Sequence, residues 1–372
     1  MSKKLINLSV RLSNTLFIFL TIVLAGKVQG SDKQKIELTQ VSNKQIKYTQ
    51  IKGFNVVYDM HIDKNGELYI PDFESGIIFR FSKNMGRLPD IGGYLEKSQE
   101  VKFKNIHAVF KVNDSFYIVE MRRNRILELK DGQLANEFGS DNLVEPVNIE
   151  QLPDKKLYVS NWHGNSIDRY DLAGNYIDSL DLTKPKAKWN SQNKRERGLS
   201  APHSIKLIEE TGQYLIADQY SKRVIKIDEN KEIKILTWVA EKKNTEWVSS
   251  VSNDKSSHAI FQSPTYVELI GGVLLVSDTV ANRILFFDLK TGNLIGCIGD
   301  KTNLLNLHNG SDLILSKIIH IPIELNNPYG VRYSQRTSNL YIADRKNRRV
   351  IILSAGSLIS NQIIKKEPVI TQ

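Results

Sequence analysis

Apolar and polar residues alternate along most of the chain in short runs, and the runs return in a fixed order. The stretches "NLYIADRKNRRVIIL" at 339–353 and "QYLIADQYSKRVIKI" at 213–227 are near copies of one phrase. Four more copies are "ELYIPDFESGIIFRF", "SFYIVEMRRNRILEL", "KLYVSNWHGNSIDRY" and "VLLVSDTVANRILFF". Each reads as an apolar, β-branched and aromatic strand, a polar tight turn, and a second alternating strand. The first of these strands closes on Asp72, Glu120, Asn161, Asp218, Asp278 or Asp344, at steps of 48, 41, 57, 60 and 66 residues.

Before each copy lies another strand, often opened by proline, as in "PVNIEQL", "PHSIKLI", "PTYVELI" and "PYGVRYS", with "VYDMHID" and "NIHAVFK" in the first two units. "KDGQ", "LAGN" and "KTGN" are hairpin turns leading into a fourth strand. A four-stranded unit cannot bury both faces alone, and a repeat of this length stacks its units around an axis. The pattern therefore predicts an all-β fold, a six-bladed β-propeller of four-stranded antiparallel blades. It occupies residues 31–372, with blades near 55–88, 105–139, 145–180, 201–236, 263–299 and 327–364. "KIELTQV" near the N-terminus, or Leu358 to Ile364, is expected to close the ring.

The proline-led first strand, followed by "LYIAD" and then "NRRV" or "NRIL", resembles the NHL-repeat family of six-bladed propellers, most clearly in units four to six. Unit three departs from it with Ser160 and Asn161, and unit two with Glu120. The resemblance implies an NHL-type fold. It also extends, more weakly, to the peptidyl-hydroxyglycine lyases of that family, in which histidines hold a metal in the channel.

The first thirty residues stand outside this pattern. Lys3, Lys4 and Arg11 precede an apolar run from Leu16 to Ala25, and Val28 and Gly30 suit cleavage before Ser31. That run is shorter than the roughly twenty residues of a spanning helix. It reads as a secretory signal over 1–30, with a retained anchor as the alternative, and places the protein in the periplasm or the medium. The formal charge of +10 falls to +6 without Lys3, Lys4, Arg11 and Lys27. Cys297 is the single cysteine, so no internal disulfide forms.

Antiparallel blades bring the starts of first strands, the loops after second strands and the connections between blades to one rim. The longest insertions, 89–104, 181–200, 237–262 and 300–326, are expected there as loops, and such loops carry binding. The ring of side chains at the channel is read as Asp59, His107, Asn148, Ser204, Tyr266 and Gly330, flanked by His203 and Tyr329. The loops add Glu74, Arg122, Arg123, Trp162, His163, Tyr220, Arg345 and Lys346. A ligand-binding set of Asp59, His107, Asn148, His203, Tyr266, Tyr329, Arg122, Arg123, Trp162 and Arg345 follows.

The same rim carries a second reading, a divalent metal (zinc or calcium) held by His107, His163 and His203. His203 is one residue out of step with His107, which in a regular strand would turn it to the other face. The repeating acids Asp72, Asp218, Asp278 and Asp344 are expected to cap their turns rather than to catalyse. "KPKAKWNSQNKRERG" at 184–198 gathers six basic residues around Trp189, a patch for an anionic polymer or a solvated loop. No Gly-rich phosphate loop, "HExxH" or "CxxC" occurs. These features predict an exported monomeric module that binds a protein, peptide or anionic polymer, not nucleic acid, with a metal-dependent lyase or hydrolase as the alternative.

Overall fold

A computed structural model describes residues 34–42, 46–180, 198–227, 233–239, 244–249, 257–258, 260–300, 319–354 and 358. The expected secretory leader and most of the basic 184–198 segment lie outside the described residues. Within them, six antiparallel sheets follow one another in chain order. Blade one comprises His61–Ile62, Leu68–Asp72, Ile77–Phe81 and Arg87–Ile91. Blade two is built from Ile106–Val112, Ser115–Glu120, Arg125–Lys130 and Gln133–Phe138, and blade three from Pro146–Gln151, Leu157–Asn161, Ser166–Tyr170 and Tyr176–Ser179. Blades four, five and six begin at Pro202–Ile208, Pro264–Ile270 and Pro328–Ser334. The alternating pattern explains the core: in each second strand nearly every residue is buried, because neighbouring blades cover both faces.

The ring closes through the N-terminal side of the chain. Lys47–Lys52 pairs antiparallel with Arg349–Ser354 and serves as the fourth strand of blade six. Glu37–Ser42, from the segment expected to close the ring, lies one strand further out against Lys47–Lys52. Leu358 is buried, and the rest of the alternative closing segment lies outside the described residues.

The expectation of rim loops needs correction: where they are described, the insertions at 89–104, 237–262 and 300–326 contribute outer strands. Gly93–Glu96 and Gln99–Lys102 form a hairpin on the outer edge of blade two, where Tyr94 and Phe103 are buried. Asn244–Ser249 adds a fifth strand to blade four, and Ile319–Ile321 pairs in parallel with Leu294–Gly299 of blade five. Bare sheet edges attract further strands, and these additions cover them.

The strand-closing acids do more than cap their own turns. Each reaches back to the segment entering its blade: Asp72 accepts from Asn55 N (2.7 Å), Glu120 from Lys104 N (2.7 Å), Asp218 from Ser200 N (2.6 Å) and Asp344 from Asn326 N (2.7 Å). An arginine five residues on completes the latch in four blades, as in Arg283 to Asp278 (2.9 Å). The asparagine of the "NRIL" phrase binds blade to blade. Asn124 and Asn282 are left-handed at the ends of their turns, and their side-chain oxygens accept from Glu145 N and Asn327 N of the next blade (2.8 Å each).

Candidate functional site

The register of the first strands decides what meets at the channel. In blades two to five one residue bulges out of the ladder: Ile106 pairs with Glu120 and Ala108 with Val119, while Pro202 pairs with Asp218 and Ser204 with Ala217. His107 and His203 are those bulged residues, so they are equivalent positions. The one-residue offset is only apparent, because Ile106 holds in blade two the ladder position that Pro202 holds in blade four. A bulge turns its extra residue along the axis and removes the alternation that would have separated them.

Two layers of side chains result, drawn from alternate blades. At the mouth, blades two, four and six contribute His107, His203 and Tyr329. Their ring centroids lie 5.3 Å (His107–His203), 5.2 Å (His203–Tyr329) and 6.5 Å (His107–Tyr329) apart. Tyr58 of the segment entering blade one stacks on His107 at 4.4 Å and meets Tyr329 edge-on at 4.9 Å. His107 donates through Nδ1 to the Val147 carbonyl (2.6 Å), whereas the buried Nδ1 of His203 has no partner. Burial drives the His107 pKa down to about 4, and burial followed by the neighbouring His107 takes His203 well below its ordinary value. Both imidazoles are neutral at pH 7.

Below, blades one, three and five contribute Asp59, Asn148 and Tyr266, all buried. Asn148 donates to Asp59 (3.3 Å) and to the Tyr266 hydroxyl (3.2 Å). Arg332 makes a two-pronged pair with Asp59 (3.0 and 2.7 Å), lies over the Tyr266 ring and reaches Glu150. Blades three and six face each other across a six-membered ring, so the Arg332–Glu150 contact crosses the channel. Asp59 and Tyr266 thus belong to the plug beneath the mouth. Gly330 is required there: a Cβ would stand 2.9 Å from both Asp59 Oδ1 and the Tyr58 carbonyl. Ser204 instead accepts from Val267 N (3.0 Å) and ties blades four and five together.

Above the mouth stand the loops after second strands. Arg345 lies over Tyr58 (4.7 Å) and near Tyr329 (5.6 Å), donating to the Tyr58 hydroxyl (3.0 Å) and to Asn327 Oδ1 (2.8 Å). Exposed Arg122 lies over Phe73 (5.4 Å), which meets Tyr58 edge-on. Trp162 donates to Gln219 (2.8 Å), which donates to Ser263 (2.9 Å), and Tyr220 stands beside Trp162 with 57% of its surface exposed. Arg123 is occupied by Glu120 (3.2 Å). Glu74 and Lys346 are exposed on their loops and join no ion pair among the described residues.

His163 does not join the other two histidines. Its ring stacks on Trp162 at 3.9 Å, and its Nδ1 lies 2.5 Å from Glu145 on the exposed rim. Among the described residues no group of three His, Cys, Asp or Glu is arranged to hold a metal, so the expected zinc or calcium set of His107, His163 and His203 does not assemble. Glu120, which closes the second strand of blade two, is taken up by Arg123 and Arg125.

Tyr58, Phe73, Gln219 and Arg332 escaped the sequence reading. Tyr58 and Arg332 flank chosen positions by one and two residues, and the strand register would have found them. A concavity on the opposite face also escaped it. An open depression of about 1330 Å³ runs along the turns of blades four, five, six and one, over Lys206, Glu268 and Tyr333. It opens over blade five, whose turn is only Gly271–Gly272, both left-handed and without side chains. Lys206 and Glu268 pair at 2.7 Å at its inner end.

No protein-family model and no curated protein matches the chain. Solved structures do. An auxiliary nutrient binding protein from Bacteroides ovatus superposes with a TM-score of 0.52 at 13% identity, over 81% of this chain and 69% of that one. Virginiamycin B lyase from Staphylococcus aureus gives 0.49 at 13% identity, over 86% and 99%. A chain of the nidogen/laminin complex gives 0.47 at 13% identity, over 69% and 91%. At such identities the likeness establishes the fold alone. The chain is a six-bladed β-propeller.

Proposed function

We propose that the protein is a binding module of the NHL kind that takes its ligand on the rim face, over the closed mouth of the channel. The observation that carries this reading is the two-layer plug. His107, His203 and Tyr329 form an aromatic floor, ion pairs of Arg332 span the channel beneath it, and Trp162, Tyr220, Arg122 and Arg345 rise around it. A rigid aromatic floor with a few polar groups at its edge is how propeller and barrel mouths hold small ligands. The nutrient binding protein of the same fold lends support, since its name is that of a binder. The basic and apolar leader supports export to the periplasm or medium.

Ligand-observed NMR against a panel of monosaccharides, dipeptides and small carboxylates tests the reading, with Trp162→Ala and Tyr220→Ala as controls. Hits should lose their signal in both variants. Hits that survive both and vanish in a variant of the opposite depression, such as Arg336→Ala, would move the site to the other face. The metal-dependent lyase reading rests on His107 and His203, whose rings lie 5.3 Å apart. Elemental analysis of protein purified without chelator checks it: one equivalent of zinc, lost in His107→Ala with the fold intact, would favour the lyase.

A further inference from the structure

We infer that the ligand of this rim carries a carboxylate, taken by Arg345 while Arg122 adds positive charge at the far end of the same row of rings, and a ring body that lies against Trp162 and Tyr220. The inference rests on the rim being the binding face and adds the charge and shape of what binds there.

Most arginines of the blades are already neutralised. Arg123, Arg125, Arg223, Arg283, Arg332 and Arg349 each hold a carboxylate within 3.2 Å. Arg345 and Arg122, both on the rim, hold none among the described residues, and each lies instead over an aromatic ring. Of the five N–H groups of Arg345, one meets Asn327 and one meets Tyr58, both neutral oxygens, and the buried Nε has no partner. A half-buried guanidinium without a counter-charge, fixed in orientation by two hydrogen bonds and two rings, is a preformed seat for a carboxylate.

The surroundings fit. The imidazoles of His107 and His203 add no charge of their own, and Glu145, an acid of this rim, is engaged by His163. Phe73 and Tyr58 run between the two guanidiniums in edge-on contact at 5.2 Å, and Tyr329 meets Tyr58 edge-on at 4.9 Å on the Arg345 side. Gln219 fixes Trp162 beside Tyr220, and the exposure of Tyr220 leaves that aromatic side open. Planar and sugar rings share this kind of contact, so an aromatic acid and a uronic acid present the same chemistry.

The test compares benzoate with its neutral isostere benzamide, and glucuronate with glucose, by saturation-transfer NMR on the full chain. Benzoate or glucuronate should bind about tenfold or more tightly than its neutral counterpart. Arg345→Ala should abolish that preference, Arg345→Lys should retain part of it, and Arg122→Ala should weaken binding with unchanged thermal stability. Which acid binds separates the aromatic from the sugar source. Equal binding of acid and neutral probe, lost in Trp162→Ala, would overturn the inference and leave the rim as the binding face. Absence of saturable binding by either acid would overturn the inference as well. Binding that survives Trp162→Ala, Tyr220→Ala and Arg345→Ala but vanishes in Arg336→Ala would overturn both.

Discussion

At the scale of single residues, the repeated acid and arginine do structural work that their spacing only hinted at. Asp278 and Arg283 are 0% and 1% exposed, and Arg283 also donates to the Ile260 carbonyl (2.9 Å). Removing one partner of such a pair strands a buried charge, at about 3–5 kcal/mol. Arg283→Ala should therefore lower unfolding free energy by that order in urea titration, while Lys156→Ala, at the exposed pair with Asp154, should change it by less than about 0.5 kcal/mol. The buried histidines make a second prediction. His61 and His107 have native pKa values near 4, and His203 lies well below its unfolded value of 6.5. Between pH 6.5 and about 4 the unfolded chain binds protons that these native imidazoles refuse. Stability should thus fall as the pH drops through that window, by about 1.4 kcal/mol per pH unit for each histidine. His107→Gln should make urea midpoints at pH 5, 6 and 7 less divergent than in the parent protein, and equal divergence would contradict the burial argument.

At the scale of strands and turns, the alternation of apolar residues was enough to place the strands of each blade, because a strand buried on both faces leaves a run such as "LYIAD" that nothing else explains. The bulges were not legible. They depend on how Pro202 or Ile106 pairs with a residue 14 to 16 positions away, and no local propensity records that. This is why His107 and His203 looked out of step and why Tyr58 and Arg332 were passed over. The added outer strands were missed because their partners belong to other segments of the chain. Thr245 shows how closely they are fitted: its hydroxyl donates to the Gly292 carbonyl (2.6 Å) and accepts from Leu294 N (2.7 Å), both in the next blade. Thr245→Val keeps the shape and leaves both backbone groups unmet. It should cost about 1–3 kcal/mol, and hydrogen exchange should show faster exchange at Leu294 than in the parent.

At the scale of the whole molecule, the six-fold ring was plain from the repeat, and the closing strand was not, since "KYTQIK" has no counterpart in the other units. Its removal should be decisive: a chain starting at Phe54 leaves the edge of Arg349–Ser354 bare and should elute as aggregate in size-exclusion chromatography, where the parent elutes as a single folded species. The same strand sets a timetable for synthesis. Gln50 and Arg349, hydrogen-bonded at the closure, stand 299 residues apart. At ordinary elongation rates, the first strand of the ring emerges from the ribosome roughly 15 to 60 s before its partner exists. Blades one to five can gather while the chain is still growing, but the ring is an open arc with two adhesive ends until the last blade arrives. For a ring of non-local pairings that interval is the vulnerable part of the molecule's life, and a chaperone that keeps Lys47–Lys52 extended would govern yield more than any contact in the finished fold.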